Sequence, residues 1–220
     1  MKSINITALV PMRHSSSRIK GKNYKLLNKK PLFEYILGTL LKTKIFDKIV
    51  INTDSPIIKK KSLRYKNIII HNRPRNLKSG FISMNKIIEY DCKKLDTDFI
   101  FQTHSTNPLL TVSTIKKAVQ IFVKKKLDCL FAVTKYQNRL WDKKIKAINH
   151  NPKKLIRTQD LIPLYEENSC FYIFKRNGFL KNKNRIFGKK MFFEISPEEG
   201  VDIDNHHNWN YAKFLLNNVK

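Results

Sequence analysis

The chain has 220 residues, enough for one substantial core or for one domain with a subdomain. Its 44 Lys and Arg stand against 17 Asp and Glu, a formal charge of +27, but Lys, Asn and Ile recur everywhere. Runs such as Lys59-Lys60-Lys61 and Lys124-Lys125-Lys126 therefore read as solvated helix faces, not as a dedicated nucleic-acid surface, while the overall field should still draw in anionic small molecules. No run of about 18 apolar residues occurs, so no membrane span is expected.

The start, MKSINITALVP, is a poor signal peptide, because its short apolar run leads straight into Pro11 and Arg13. Ile4 to Val10 reads as a first strand, followed by a loop of Ser, Gly, Arg and Lys. Pro31 to Lys44 then repeats apolar residues at helical spacing, with Pro31 in the first turn, where its missing N–H costs little. Lys48 to Thr53 is a β-branched strand ending at Asp54-Ser55-Pro56. Ile57 to Tyr65 reads as a short basic helix and Asn67 to His71 as a buried strand broken by Arg73-Pro74.

Ser83 to Leu95 fits a helix with Ser83 as N-cap, Asp98 to Thr103 a strand, Ser113 to Lys126 an amphipathic helix, and Leu127 to Thr134 a further strand. From 135 to 168 the rhythm fails, which suggests an excursion from the sheet such as a small β flap. Ser169 to Phe174 and Met191 to Ile195 return as strands. Asn205 to Asn217 reads as a closing helix with Trp209, Ala212 and Leu216 inward. Strands alternating with helices of about 10 to 15 residues argue a single α/β domain, with a mostly parallel, doubly wound sheet covered by helices on both faces. Cys92, Cys129 and Cys170 lie far apart without metal-type spacing, and read as free thiols of a reducing cytoplasm.

Ligands of an open parallel sheet collect beyond the carboxyl ends of its strands. After the first predicted strand come Arg13, Ser16, Arg18, Lys20, Lys22 and Asn23; after the second Asp54; after the third Arg73; after the fourth Gln102 and the run Thr103 to Pro108. Near the end, Asp202 and Asp204 stand at i and i+2, on one side of an extended segment, as two oxygen donors to a hard cation would. Basic groups at one loop and an acidic pair at another suit a nucleoside triphosphate with Mg²⁺. Alternatively, the two aspartates end a strand and cap the helix at Asn205. His206-His207 reads as an exposed first turn. Ser16 lacks the Gly-x-Ser-x-Gly elbow of a hydrolase nucleophile, and the Gly-x-x-x-x-Gly-Lys phosphate loop is absent.

PMRHSSSRIKGKN from Pro11 resembles the P-A-R-G-G-S-K-G-I-P-G-K-N motif of the CMP-sugar synthetases, the cytidylyltransferases that activate acylneuraminate-type sugars and Kdo. KPLFEYIL is similar to K-P-L-I-x-Y, FDKIVINTDSP to F-D-x-V-V-V-S-T-D-S, TNPL to T-S-P-L, and VDIDNHHNW to V-D-I-D-T-E-E-D. Arg73-Pro74 and Tyr165 to Asn168 also match, and the set keeps the family's order across nearly the whole chain. The resemblance implies transfer of CMP from CTP to the anomeric hydroxyl of a 2-keto-3-deoxy sugar acid, with pyrophosphate released. It places Arg13 at the α-phosphate, Lys22 at the triphosphate and leaving pyrophosphate, and Ser16 in the phosphate loop. Asn23 and Arg73, with Ser83 more loosely, fall at the cytidine; Gln102, Asn107 and Glu167 fall on the sugar side. Asp202 and Asp204 match the carboxylates that hold Mg²⁺, which is expected to assist deprotonation of the sugar hydroxyl. The resemblance also implies a homodimer formed through the excursion, with residues around Arg157 and Glu167 near the interface.

The chain departs from the family at His14-Ser15, where the motif has Gly-Gly, and at Ser17, where it has Lys. Arg18 and Lys20 lie close enough to replace that charge. An additional His104-Ser105 precedes Asn107-Pro108. These changes leave the sugar acid open. Another nucleotide or acceptor, a non-catalytic nucleotide binder and a basic nucleic-acid binder remain as alternatives.

Overall fold

A computed structural model of the protein describes residues 4–218. The apolar run after Asn5 forms β1 (Ile6–Met12), in which all seven residues are buried. Such a strand needs cover on both faces, and it lies inside the sheet between β4 and β6. The other strands are β2 (Leu26–Leu27), β3 (Lys30–Pro31), β4 (Lys48–Thr53), β5 (Ile68–Asn72), β6 (Phe99–Thr103), β7 (Cys129–Tyr136), β8 (Leu164–Lys175) and β9 (Lys190–Ile195). Helices are α1 (Leu32–Thr43), α2 (Pro56–Ser62), α3 (Met84–Cys92), α4 (Val112–Lys124), α5 (Arg176–Asn182) and α6 (His206–Asn218).

Seven strands form one sheet in the order β5-β4-β1-β6-β8-β7-β9, and β2 and β3 make a separate two-stranded ribbon. Six of the seven run in one direction, and β8 alone is antiparallel to its neighbours β6 and β7. One face is covered by α1, α2 and α4 through Phe33, Leu37, Ile58, Ile115 and Phe122; the other by α3 and α5 through Ile88, Cys92 and Phe179. Helix α6 adds Trp209 and Ala212 to a smaller cluster with Ile19, Leu27 and Ile203. The mostly parallel sheet with helices on both faces is thus observed.

Local sequence explains the element ends. Ser55 accepts a hydrogen bond from the Ile58 N–H and Thr111 from the Thr114 N–H, so each caps its helix. Asn205 caps α6 by accepting from the Asn208 N–H at 2.9 Å, and Asn208 reaches back to the Asp204 and Asn205 N–H groups. The cap is therefore Asn205, and the Asp204 carboxylate is left for other partners. His206 and His207 are exposed in the first turn.

Two expectations need correction, and two elements carry no sequence signal. β5 is an edge strand, half-exposed along its length, because only β4 pairs with it. The irregular excursion is shorter than 135–168: β7 and β8 continue past the helical cover as an antiparallel hairpin, with Val133 opposite Glu167 and Tyr136 opposite Leu164. Its outer strand looks irregular in sequence because Tyr165, Glu166 and Glu167 lie on an exposed extension without a buried face. Between the two strands lie a single bridge, Trp141 to Ala147, and a 3-10 turn at Thr158–Asp160. Finally, α5 and the β2–β3 ribbon were not legible, since α5 buries one residue, Phe179, and the ribbon strands are two residues long. Trp209 and Ala212 pack inward as read, joined by Leu215, with Leu216 only partly buried.

The 3-10 turn Lys22–Tyr24 opens at Gly21, whose φ is 65°. A Cβ there would lie 2.7 Å from the Tyr24 ring. Gly21→Ala should therefore lower stability by about 1 kcal/mol or more, read as a reduced urea midpoint; an unchanged midpoint would refute this account of the turn.

Candidate active site

The parallel register sets the ends of β1, β4 and β5 level, with Met12 beside Thr53 and Thr53 beside Asn72, while Leu9 beside Gln102 ends β6 two residues earlier. The loops that begin at Arg13, Asp54, Arg73 and His104 therefore open on one edge. There the loops from Arg13, Arg73 and His104 surround a cleft of about 400 Å³, closed on another side by Asp202 and Asp204. Five cationic side chains line it, Arg13, Arg18, Lys22, Arg73 and Arg185, against those two carboxylates. The excess of positive charge in a partly enclosed space is suited to a polyanion.

The β1 loop, 13–23, is fixed from outside. The His14 N–H donates to Asp54 Oδ1 at 2.7 Å, and its ring meets Ser55 Oγ at 3.0 Å and stacks on Tyr24. His14 is thus turned away from the cleft, which Ser15, Ser16 and Ser17 line. Asn23 donates to the Arg13 carbonyl and accepts from Ser105 Oγ, both at 2.7 Å, so its amide joins the β1 loop to the β6 loop. Arg13 reaches over Gly80, where a Cβ would collide with Nη1. Among the expected charge replacements for Ser17, Arg18 lines the cleft and Lys20 does not.

The acidic pair is held between the loops. Lys22 donates to the Ile203 carbonyl at 2.6 Å and to Asp204 Oδ1 at 3.2 Å, and Arg18 meets the same oxygen at 3.2 Å. Asp202 is more enclosed. Burial raises its carboxyl above the usual carboxylate range, against the Thr106 side chain, and Asp204 adds to the rise. Its Oδ1 is buried without a hydrogen-bond partner. A buried acceptor of that kind fits a cation supplied from outside the chain. Among the described residues, no group of three or more His, Cys, Asp and Glu forms a metal site from protein ligands alone.

Arg73 enters from β5 almost fully buried and is held from behind. Its Nε donates to Asn52 Oδ1 at 2.6 Å and its Nη2 to the Asn52 carbonyl; Asn52 in turn donates to Asp91 Oδ1 at 2.8 Å, which also meets His71 Nδ1. Burial lowers the Arg73 pKa, with Asp54 and Asp91 opposing. The adjoining wall, Ile82, Met84 and Ile87, is apolar. Ser83 occupies the N-cap position of α3 but makes no capping bond, is exposed and stays outside the cleft.

Three residues expected on the sugar side lie behind or beside this space. Gln102 is wholly buried: its Oε1 accepts from Arg185 Nη1 at 2.8 Å, and its amide nitrogen meets His104 Nε2 at 2.9 Å and the Thr103 carbonyl. Asn107 is also wholly buried and donates to the Val201 carbonyl, which ties the β6 loop to the acidic segment. Glu167 lines a neighbouring depression that shares Arg18, Ser169, Asp202 and Asp204 with the cleft, and it accepts from the Tyr172 hydroxyl. Burial pushes that hydroxyl up to about 12, which keeps it a donor. The structure brings Arg13, Ser16, Lys22, Asn23, Arg73, Asp202 and Asp204 together. It also adds Arg185, which arises in the undistinguished basic run KNKNRIFGKK and gives no signal in sequence. Gly80, in the turn before α3, likewise gives no signal in sequence.

A cationic cleft beyond the carboxyl ends of a parallel sheet, with a carboxylate pair on its rim, is the arrangement of a nucleotide-binding α/β protein. The family model described as Cytidylyltransferase matches residues 7–213, and the chain belongs to that family. It is 28% identical over 223 residues to N-acylneuraminate cytidylyltransferase A of Danio rerio, covering 96% of this chain and 51% of that protein. It is 26% identical over 221 residues to a pseudaminic acid cytidylyltransferase of Campylobacter jejuni, covering 94% of both. The chain thus spans about half the length of the fish relative and nearly all of the bacterial one. A solved CMP:2-keto-3-deoxy-manno-octonic acid synthetase complexed with CTP shares the fold, with TM-score 0.71 and 12% identity over 97% of this chain and 98% of that one.

Enclosure, with Arg185 and Lys22 nearby, lowers the His104 pKa from 6.5 to about 4. A histidine kept neutral in the fold contributes stability that is fully present above its unfolded value near 6.5 and is lost as pH falls towards 4. Through this group alone, folding should weaken by up to about 3 kcal/mol across that window. Urea titrations at a series of pH values should show a shallower loss for His104→Gln than for the wild type; parallel curves would refute it.

Proposed function

We propose that the protein transfers CMP from CTP to the anomeric hydroxyl of a 2-keto-3-deoxy sugar acid. The hydroxyl oxygen forms a bond to the α-phosphorus as the bond to pyrophosphate breaks, and the hydroxyl proton leaves to solvent. The observation that carries this reading is the cleft itself, five cations facing two carboxylates, built from the segments that match the cytidylyltransferase family. The similarity to the N-acylneuraminate and pseudaminic acid cytidylyltransferases of fish and Campylobacter supports a sugar acid as acceptor.

In-line phosphoryl transfer needs alignment and fixed positive charge more than covalent help. Arg13 and Lys22 supply charge from the β1 loop at the α-phosphate and the leaving pyrophosphate. Arg73, pinned by Asn52 beside an apolar wall, is suited to the polar edge of the base. Asp202 and Asp204 would hold Mg²⁺, since the buried, unpartnered Asp202 Oδ1 and the adjoining Asp204 offer the hard oxygen donors it takes. When bound, the ion would neutralise phosphate oxygens and make the sugar hydroxyl more acidic. The outer hairpin exposes Trp141, Ile145, Ile148, Leu155 and Ile162, an apolar set that supports a homodimer built through this excursion.

Pyrophosphate release with CTP, Mg²⁺ and a panel of 2-keto sugar acids, with ATP, GTP and UTP as controls, tests the reading. CTP-dependent release with at least one acid is the expected outcome; no CTP binding would end it. Asp202→Asn and Asp204→Asn should each reduce turnover by at least about 100-fold, and near-wild-type rates in both would remove the carboxylate pair from the mechanism. Gly80→Ala should displace the Arg13 guanidinium and lower kcat by about tenfold or more, with little change in thermal midpoint; an unchanged kcat would show that Arg13 has no fixed task.

A further inference from the structure

Of the five cations in the cleft, Arg185 is the one that the parallel strands do not deliver. It sits on 183–189, a stretch without regular structure between α5 and β9. Its guanidinium lies over the Tyr172 ring, 3.8 Å from the centroid, and its Nη1 donates to Gln102. Those contacts aim the head group, but only if the backbone beneath it is held at the right distance. A side chain with a fixed task must be placed to within about 0.5 Å, which a free seven-residue stretch would not do.

Side chains from the surrounding elements do the holding. At the far end, Asp128, immediately before β7, divides its two oxygens. Oδ2 accepts from the Lys189 N–H at 2.7 Å and Oδ1 from Lys175 Nζ at 2.8 Å, while the Asp128 N–H donates to the Lys189 carbonyl at 2.8 Å. In the middle, the Phe187 N–H and carbonyl both meet Cys129 Sγ, and the Phe187 ring lies against Gly178 of α5. At the near end, the Lys183 carbonyl accepts from Asn85 and Lys183 Nζ meets Glu89, both on α3.

Glycine usage points to the same anchor. The chain has only six glycines, and two of them serve this stretch. A Cβ on Gly188 would collide with the Asp128 carboxylate, and a Cβ on Gly178 with the Phe187 ring. Gly188 also holds φ at 54°, which a residue with a side chain rarely adopts. The Asp128–Lys175 pair is partly exposed, so as an ion pair it adds little to overall stability. The bond from Asp128 to the Lys189 backbone, in contrast, fixes a geometry.

We propose that Asp128 is a positioning residue for Arg185: its carboxylate, admitted by Gly188, fixes the 183–189 stretch and thereby sets where the guanidinium stands in the cleft. Asp128 lines neither the cleft nor the depression beside it, so its effect on the reaction passes through Arg185. The consequence for turnover rests on the proposed function, and the anchoring of Arg185 does not.

Two readouts test the assignment. The first is kcat/KM with CTP, Mg²⁺ and whichever of N-acetylneuraminate, pseudaminic acid and Kdo is turned over. Asp128→Ala and Gly188→Ala should each lower it by about tenfold or more. Adding either to Arg185→Ala should change it by no more than about twofold, whereas independent sites would multiply their losses. Asp128→Asn keeps an oxygen for the Lys189 N–H and should recover most of the rate. The second readout needs no turnover. Arg185 Nε is buried, so its N–H should exchange slowly and give a ¹⁵N resonance that is missing in Arg185→Lys. That resonance should be lost in Asp128→Ala and in Gly188→Ala at a temperature where circular dichroism shows both folded. Gly188→Ala carries the test if Asp128→Ala does not fold.

Multiplied losses in the double variants overturn the proposal, because Asp128 would then act on something other than Arg185. A slow Nε–H that persists in the single variants, with a lowered thermal midpoint as the only change, also overturns it and leaves Asp128 a structural residue. So does a wild type without a slow Nε–H. If the wild type turns over none of the acids, the proposed function falls. The resonance then decides the anchoring by itself, for it if the signal disappears in the variants and against it if the signal stays.

Discussion

The loop from Arg13 to Asn23 has almost no regular structure of its own, and the cleft depends on its being held still. A loop that offers cations and backbone to a polyanion cannot spend those groups on internal bonds. Its anchors must come from elsewhere in the fold. They do: Asp54 from the end of β4 binds the His14 N–H and Ser105 from the β6 loop binds Asn23, whose amide passes that anchorage to the Arg13 carbonyl across the loop. The acidic segment closes the ring through Lys22 and the Ile203 carbonyl, residues 181 apart in sequence. The parallel register is what makes this possible, because it delivers all these partners to one edge.

The same principle of support from behind governs the charges. Arg73 does not rest on a carboxylate directly; the neutral amide of Asn52 stands between it and the buried Asp91. A direct ion pair would neutralise the guanidinium, whereas an intervening amide fixes its direction and leaves its charge available. Lys22 and Arg18 do meet a carboxylate, Asp204, at the cleft's rim, where the Asp204 and Arg18 side chains remain partly solvated. Here the pairing brings cations and carboxylate into one cluster that a charged ligand can reorganise.

Much of this was legible in sequence, for a specific reason. β1, β4 and α4 carry strong periodicity, and the turns after them place Arg13, Asp54 and the β6 loop by topology alone. The ordered motifs from Pro11 to Asp204 then identified the cleft-lining residues Arg13, Ser16, Lys22, Asn23, Arg73, Asp202 and Asp204. Sequence could not show which way a side chain faces once it reaches the edge. Gln102 and Asn107 sit at the expected positions but point into the protein, because the polar ends of the β6 loop need internal partners. His14, where the motif has a small residue, stays out of the cleft because its ring turns to Ser55 and Tyr24. Arg185 lay hidden because its neighbours are basic as well, and only the packing on Tyr172 singles it out.

The reversed direction of β8 has a consequence for how such a protein can diversify. The strands that present the cationic loops, β1, β4, β5 and β6, form one continuous parallel block. Arg185 arrives from the other side of β8, on the short stretch between α5 and β9 that lies outside that block. α5 buries a single residue and the stretch that follows it is only seven residues long, 183–189. Its length and side chains can therefore drift without disturbing the register of the parallel block. The half that presents the cationic loops is fixed by strand register, and the stretch that brings Arg185 is not.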